Sequence, residues 1–323
     1  MMQSFPYAKK NVANLIGIGG IARTGKALIG GLTSTFDNSE KINVNINWEL
    51  ANQLRYVKQI NDESAVFLLR RIFATITYNL AIGREVNTRK KEFTSIFSNK
   101  KPSTYLSRIK NVKDGDEVFK SMKRKKFNVP ILIHDALVHF KIILKAFPSM
   151  KLIHLEKNPV ELAYSWMNKK YGSEFYKNDR VGILTLRKGK NILPWYCFGW
   201  EKKFLSLKEN DKTIYILDHL IKKQNLAYKK IKNKKNILII FFEKFVTDPK
   251  YYIKKLEKFT KFKNTSFSKK FLKENNCPRI LKRKDLEKKR KYLKEKISKN
   301  SFKKLMQLEK NYLKKLNYKE FYI

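Results

Sequence analysis

Apolar positions in this chain fall into two rhythms. Short unbroken runs cover Asn14 to Ile18 (ending in Gly19-Gly20), Val129 to Ile133, Lys151 to Leu155 and Asn236 to Phe242. Compact runs of this kind, bounded by turn residues, predict strands buried on both faces. Asn43 to Ile46 predicts one more short strand. Helical spacing occupies Thr24 to Thr35, Trp48 to Ile60, Glu63 to Leu80 and Leu137 to Phe147, the last stopping at Pro148. Asn158-Pro159 opens a further helix, with proline in the first turn, where a missing N–H costs nothing. Thr247-Asp248-Pro249 caps another that runs to about Thr260. Strands alternating with helices imply an α/β fold: a three-layer arrangement of a mostly parallel sheet with helices on both faces. The polar span Asn87 to Asp116, with Pro102 and Gly115, reads as a loop-rich excursion. From Lys282 onward the pattern is helical and basic. A partial apolar stripe through Leu286, Leu293, Leu305 and Leu308 makes these terminal helices packed on the domain.

Composition narrows the class. The 323 residues are 42% hydrophobic and 13% aromatic, a globular composition with enough chain for a substantial core. The formal charge of +44 invites a nucleic-acid partner. The lysines, however, are spread along the chain beside many Asn, Ile, Phe and Tyr residues rather than concentrated on one element. That distribution argues for compositional bias and against a specific nucleic-acid surface. Cys197 and Cys277 are the only cysteines, so neither a disulfide framework nor a CxxC metal pair exists. A reducing, cytoplasmic setting fits. No apolar run approaches the roughly 20 residues of a membrane span, and the polar stretch Met1 to Asn14 lacks a signal-peptide core.

Two segments carry the chemistry. The first is Gly19-Gly20-Ile21-Ala22-Arg23-Thr24-Gly25-Lys26-Ala27, directly after the first strand. Unpaired N–H groups of such a turn, and of the helix it opens, form an anion site aided by the helix dipole. Arg23 and Lys26 add charge within the turn, and Thr24 adds a hydroxyl. Gly20 to Lys26 has Walker A spacing, but the hydroxyl residue that would hold Mg²⁺ is replaced by Ala27. The alternative is a tight turn using glycine for geometry alone. The second segment runs from Lys157-Asn158-Pro159-Val160-Glu161 to Ser165. Lys157 ends a strand and Ser165 lies two helical turns on, so one phosphate could meet both near the helix start. A solvated lysine with a capped serine is the plain alternative.

These segments are similar to the sulfotransferases that use 3′-phosphoadenosine 5′-phosphosulfate. That family's first motif typically reads Pro-Arg/Lys-Ser-Gly-Thr-Thr, and Ala22 to Ala27 resembles it. The second typically reads Arg-Asn/Asp-Pro-x-Asp-x-x-x-Ser, matched in spacing by Lys157 to Ser165. Phe242-Glu243-Lys244-Phe245-Val246-Thr247-Asp248-Pro249 resembles a third, and the three occur in the family's order over roughly residues 14 to 260. Departures exist: Lys157 replaces an arginine and loses its bidentate fork, Glu161 replaces aspartate, and Lys26 and Ala27 replace two threonines.

The resemblance implies a P-loop NTPase-like domain over residues 1–323, with 281–323 as basic helices packed on it. It implies a sulfuryl transfer from 3′-phosphoadenosine 5′-phosphosulfate, without a metal, to a hydroxyl of a carbohydrate or similar acceptor. Arg23, Thr24, Gly25, Lys26 and Ala27 would hold the 5′ phosphosulfate, and Lys157 and Ser165 the 3′ phosphate. Arg279, in competition with Lys282 and Arg283, would touch the same phosphate. Arg23, assisted by Lys26, would stabilise the departing phosphate oxygen. The base that takes the acceptor proton is Glu49, slightly favoured, or His134 at the end of its strand. Trp166, Trp195 and Trp200 are available to stack on the purine or wall the acceptor site. Asn87 to Asp116 and Tyr171 to Trp195 are the expected acceptor-side segments. His139, His154 and His219 have no paired ligand spacing. Two other readings compete. A Mg²⁺-dependent P-loop kinase using ATP is favoured by Ile131 to Asp135, which looks like a Walker B strand, and opposed by Ala27. A basic binder of nucleic acid or another polyanion is the third.

Overall fold

The computed structural model describes residues 13–90, 92–98, 101–111, 115–125, 127–316 and 322. Most of the polar N-terminal stretch, up to Val12, lies outside them, as do residues 317–321 and 323 at the other end. In chain order, β1 (Asn14–Gly20) runs into the glycine turn and α1 (Lys26–Ser34). β2 (Asn43–Val44) is shorter than its apolar run, because Asn45 accepts the Trp48 N–H at 3.0 Å and starts α2 (Ile46–Tyr56). Then come α3 (Asp62–Ile82), α4 (Pro102–Asn111), α5 (Gly115–Lys125), β3 (Asn128–His134), α6 (Ala136–Ala146), β4 (Lys151–Glu156) and α7 (Pro159–Asn168). A hairpin, β5 (Thr185–Lys188) with β6 (Asn191–Pro194), precedes α8 (Glu201–Ser206) and α9 (Glu209–Lys230). β7 (Ile237–Phe241) leads to α10 (Phe242–Thr247), α11 (Pro249–Thr260), α12 (Ser266–Glu274), α13 (Arg283–Lys296) and α14 (Lys299–Lys315).

The five main strands form one parallel sheet in the order β2-β3-β1-β4-β7. Leu15, Val129, Ile131, Ile133 and Leu152 point to the face covered by α2, α3 and α6. Ile16, Ile18, Leu132, Ile153 and Leu155 point to the other, covered by α1, α11 and α12. The helices that follow β1 and β3 therefore leave toward opposite faces. Such a reversal opens a crevice beyond the strands' C-terminal ends, where α/β sheets bind ligands. A third apolar cluster seats α7, α9, α13 and α14 together beside that end, which places the basic terminal helices on the domain.

Two expectations change. The excursion from Asn87 to Asp116 contains α4 and the start of α5. Buried Arg108 of α4 forks onto buried Glu40 at 2.9 and 3.0 Å, and the Tyr105 hydroxyl donates to the same carboxylate at 2.7 Å. This helix is held by a long-range ion pair rather than an apolar stripe. Glu40 also donates its N–H to the Asn128 carbonyl, where β3 begins. Helix α4 thus lies at the opposite end of the sheet from the crevice, away from an acceptor beside Glu49 and His134. In addition, the 21-residue α3 has an apolar stretch of mean hydropathy 1.4, long and apolar enough to cross a membrane. Half of that stretch is buried in the protein, as in a core helix.

Candidate active site

The crevice is built from the ends of β1, β3, β4 and β7. At the end of β1 the chain turns through Arg23 (φ 73°) and Gly25 (φ 94°). Gly25 stands at the α1 N-cap with no side-chain cap, and Leu28 and Ile29 close the first turn onto its carbonyl. The N–H groups of Lys26 and Ala27 precede that closure, so no carbonyl within the helix is there to accept them. A Cβ on Gly25 would sit 2.4 Å from the Phe242 ring, so the turn and α10 are in direct contact there.

Arg23 is exposed and its Nε donates to Ser165 Oγ at 3.1 Å. This contact joins the glycine turn to α7. Lys157 Nζ lies 4.7 Å from the Phe242 ring centroid, and the Arg279 guanidinium lies 5.8 Å from the same ring. Phe242 therefore contacts Gly25 and carries two cations from distant parts of the chain. Arg279 is anchored by its own N–H to the Val246 carbonyl at 2.7 Å. Arg283, by contrast, pairs with Glu287 on an exposed face and takes no part. Burial lowers the ammonium pKa of Lys157, opposed by Glu161 and Glu243 and reinforced by Lys289 and Arg23.

Two residues of the turn face inward. Lys26 is 4% exposed, and its Nζ donates to the carbonyls of Gly20 and Ile21 at 2.8 and 2.7 Å. Burial pulls its pKa down to about 8 against the attraction of Asp135 and Glu49. Thr24 donates to the Ile21 carbonyl at 2.8 Å. Both groups are buried and brace the turn from beneath. Both were expected to contact phosphate directly; here the Thr24 hydroxyl and two of the three Lys26 N–H donors are given to carbonyls of the turn. Trp166 is also a brace, its indole N–H donating to the Ala22 carbonyl at 2.9 Å. Trp195 is core, and Trp200 stacks on His219.

The two candidate bases meet. Glu49 Oε1 accepts the backbone N–H of His134 at 2.8 Å and lies 3.0 Å from its Nδ1. Glu49 is buried, whereas the His134 side chain is 41% exposed. Desolvation, and then the Lys26 charge, lower the imidazole pKa against the pull of Glu49. Asp135 follows in the left-handed region (φ 50°), its carboxylate held by Gln224 at 2.9 Å and pushed by burial up to about 7. Two non-glycine residues in this conformation, Arg23 and Asp135, thus stand at neighbouring strand ends, the kind of backbone strain found at functional sites. Glu49 also sits one turn before Gln53, which clamps the Tyr171 to Trp195 segment through the Gly182 carbonyl at 2.9 Å and the Leu184 N–H at 2.6 Å. That segment therefore lies against the helix that carries Glu49.

Among the described residues, no cluster of three or more His, Cys, Asp or Glu side chains is arranged to hold a metal ion. His139 and His154 are buried, which pulls both imidazoles down to about 3.

The sequence model of the Sulfotransferase domain family matches residues 18–320. No curated protein matches the chain. Among solved structures it is similar to sulfotransferase STF9 from Mycobacterium avium, at 11% identity and a TM-score of 0.45, covering 97% of this chain and 79% of that one. It is also similar to sulfotransferase STF1 from Mycobacterium tuberculosis, at 9% identity and a TM-score of 0.40, covering 81% and 71%. A sulfotransferase domain from the curacin biosynthetic pathway shows 11% identity and a TM-score of 0.40 over 79% and 76%. With a family match that begins inside the strand feeding the glycine turn and runs through the terminal helices, this chain belongs to the sulfotransferase family and is a transferase enzyme.

Proposed function

We propose that the crevice binds 3′-phosphoadenosine 5′-phosphosulfate between the glycine turn and the start of α7, and passes its sulfuryl group to a carbohydrate hydroxyl. Family membership implies that donor and a hydroxyl-bearing acceptor. The observation that carries the site assignment is the Arg23–Ser165 contact, with Lys157 and Arg279 on the adjoining Phe242 ring. It supports one continuous cationic cleft with donors for two phosphate groups. The donor set fits the bisphosphorylated nucleotide: cations and a hydroxyl, with helix N–H groups between them. When bound, the nucleotide supplies the sulfuryl group to be transferred.

In this reading Arg23 and the N–H groups of Lys26 and Ala27 neutralise charge developing on the departing phosphate oxygen. Lys26 contributes its charge from beneath the turn. The Nδ1–H of His134 donates to Glu49, which leaves Nε2 free to accept the acceptor's proton as the new oxygen–sulfur bond forms and the old one breaks. Glu49, slightly favoured from sequence as the base, becomes the buried group that orients the imidazole. A cytoplasmic setting is proposed with it, since Cys197 and Cys277 are both free and buried.

The test is calorimetric titration of adenosine 3′,5′-bisphosphate with and without Mg²⁺, alongside sulfuryl transfer to a panel of sugars. Binding independent of Mg²⁺, weakened about 10- to 100-fold by Arg23→Ala or Lys157→Ala, is expected for loss of one charge-assisted contact. Absence of binding, or binding indifferent to both substitutions, would refute the site.

A further inference from the structure

The turn that carries Lys157 is not held by its own neighbourhood. Asn158, fully buried, begins α7 and caps it by accepting the Val160 N–H at 2.8 Å. Its backbone N–H donates to Glu243 Oε1 at 3.0 Å, and its side-chain amide donates to Glu309 Oε1 at 3.0 Å. Glu309 comes from α14, 151 positions away, and is held in turn by a two-pronged contact from Arg290 of α13 at 2.8 and 3.0 Å. The other oxygen of Glu243 accepts the hydroxyl of Tyr312, also on α14. Glu243, Glu309 and Tyr312 are each no more than 5% exposed. One turn further into α7, Glu161 accepts Lys289 of α13 at 2.7 Å and lies 3.9 Å from Lys157.

We propose that Glu309 and Tyr312 are positioning residues for donor binding: α14 sets the turn from which Lys157 reaches the nucleotide's second phosphate. Neither side chain is assigned a contact with the ligand. Both act through Asn158, Glu309 directly and Tyr312 by orienting the Glu243 carboxylate that receives the Asn158 N–H. Two buried carboxylates on one asparagine exceed what capping α7 needs, since Asn158 already satisfies Val160 by itself. Their geometric effect is to fix the peptide between Lys157 and Asn158, and so the direction in which the Lys157 side chain leaves the strand. This inference rests on the donor reading above.

The test compares two ligands, adenosine 3′,5′-bisphosphate and adenosine 5′-phosphate, by calorimetry on the full chain and on Glu309→Gln, Tyr312→Phe and Lys157→Ala. Thermal midpoints are measured in parallel. The expected result is about tenfold weaker binding of the bisphosphate to Glu309→Gln and Tyr312→Phe, with adenosine 5′-phosphate bound as by the unaltered chain. Donor KM should rise in both while acceptor KM holds. If Glu309→Gln fails to fold, Tyr312→Phe, which removes a single hydroxyl, carries the comparison. Equal weakening of both ligands would mean a general structural role and overturn the inference. Unchanged bisphosphate affinity in both α14 variants, with Lys157→Ala still impaired, would overturn it while leaving the donor reading intact. Unchanged affinity in Lys157→Ala would take Lys157 out of the site and overturn the inference, while absence of any bisphosphate binding would remove the donor reading itself.

Discussion

Gly25→Ala puts the joint between the glycine turn and Phe242 under direct test. The added methyl would be strained by the backbone, since Gly25 has φ 94°, and occupancy of such a region by another residue costs about 1–3 kcal/mol. The methyl would also lie 2.4 Å from Cδ2 of Phe242, so the ring must retreat to beyond the 3.4 Å at which ordinary contact begins. Overpacking of this kind costs about 1–3 kcal/mol more. For 323 residues, an unfolding entropy of about 2.1 cal/mol/K per residue converts the total to a fall in Tm of roughly 3–9 °C. Function should suffer beyond stability, because the displaced ring supports both Lys157 and Arg279. At a temperature where both proteins are folded, calorimetry should show adenosine 3′,5′-bisphosphate bound at least about tenfold more weakly. Adding Phe242→Leu should recover part of the Tm by relieving the overlap, but not the part due to φ. A single variant with native Tm and native affinity would refute the reasoning, because it would mean the turn and α10 do not share a packed surface.

Two further outcomes follow from the charges. The pH profile of kcat/KM for the donor should be bell-shaped. It should rise as His134 loses its proton below its ordinary value of 6.5 and fall as Lys26 deprotonates at about 8. Asp135→Asn removes the largest attraction that keeps Lys26 charged, so the alkaline limb should move to lower pH; a limb unmoved, measured by initial rates across pH 5 to about 10, would exclude Lys26 as its source. Glu40→Ala leaves Arg108 buried without its carboxylate and should cost about 3–5 kcal/mol in denaturant unfolding. Because that pair lies at the far end of the sheet, bisphosphate affinity should hold; its loss would show that the two ends of the sheet are coupled.

The strands and the glycine turn were legible because their information is local. An apolar run ending in Gly19-Gly20 can do little else in a buried sheet, and Asn158-Pro159 opens α7 with two neighbouring residues. Helix α4 was not legible, because its buried side chains, Tyr105 and Arg108, meet a glutamate 65 and 68 positions away. Helix α9 escaped notice for a related reason. It buries Asp211, Thr213, Asp218 and Gln224 together with its aliphatic residues, so its inner face does not read as apolar. In the candidate site, Arg23, Lys157 and Ser165 follow from residue type and spacing, whereas Glu49 and His134 follow only from what the family resemblance implies. Sequence cannot show that Lys26 and Thr24 would turn inward, because free backbone carbonyls leave no mark on the pattern of residues. Nor does any local signal connect Asn158 with Glu309.

That last connection has a consequence for biosynthesis. A ribosome releases Asn158 long before it reaches Glu309, 151 codons later, a delay of about 8–30 s at ordinary elongation rates. Until then the amide of Asn158 and, once Glu243 has followed 85 codons later, its second oxygen lack the partners that α14 will bring. If the proposed site holds nucleotide, a growing chain can lay down its parallel sheet early yet reaches full affinity only after the terminal helices have docked.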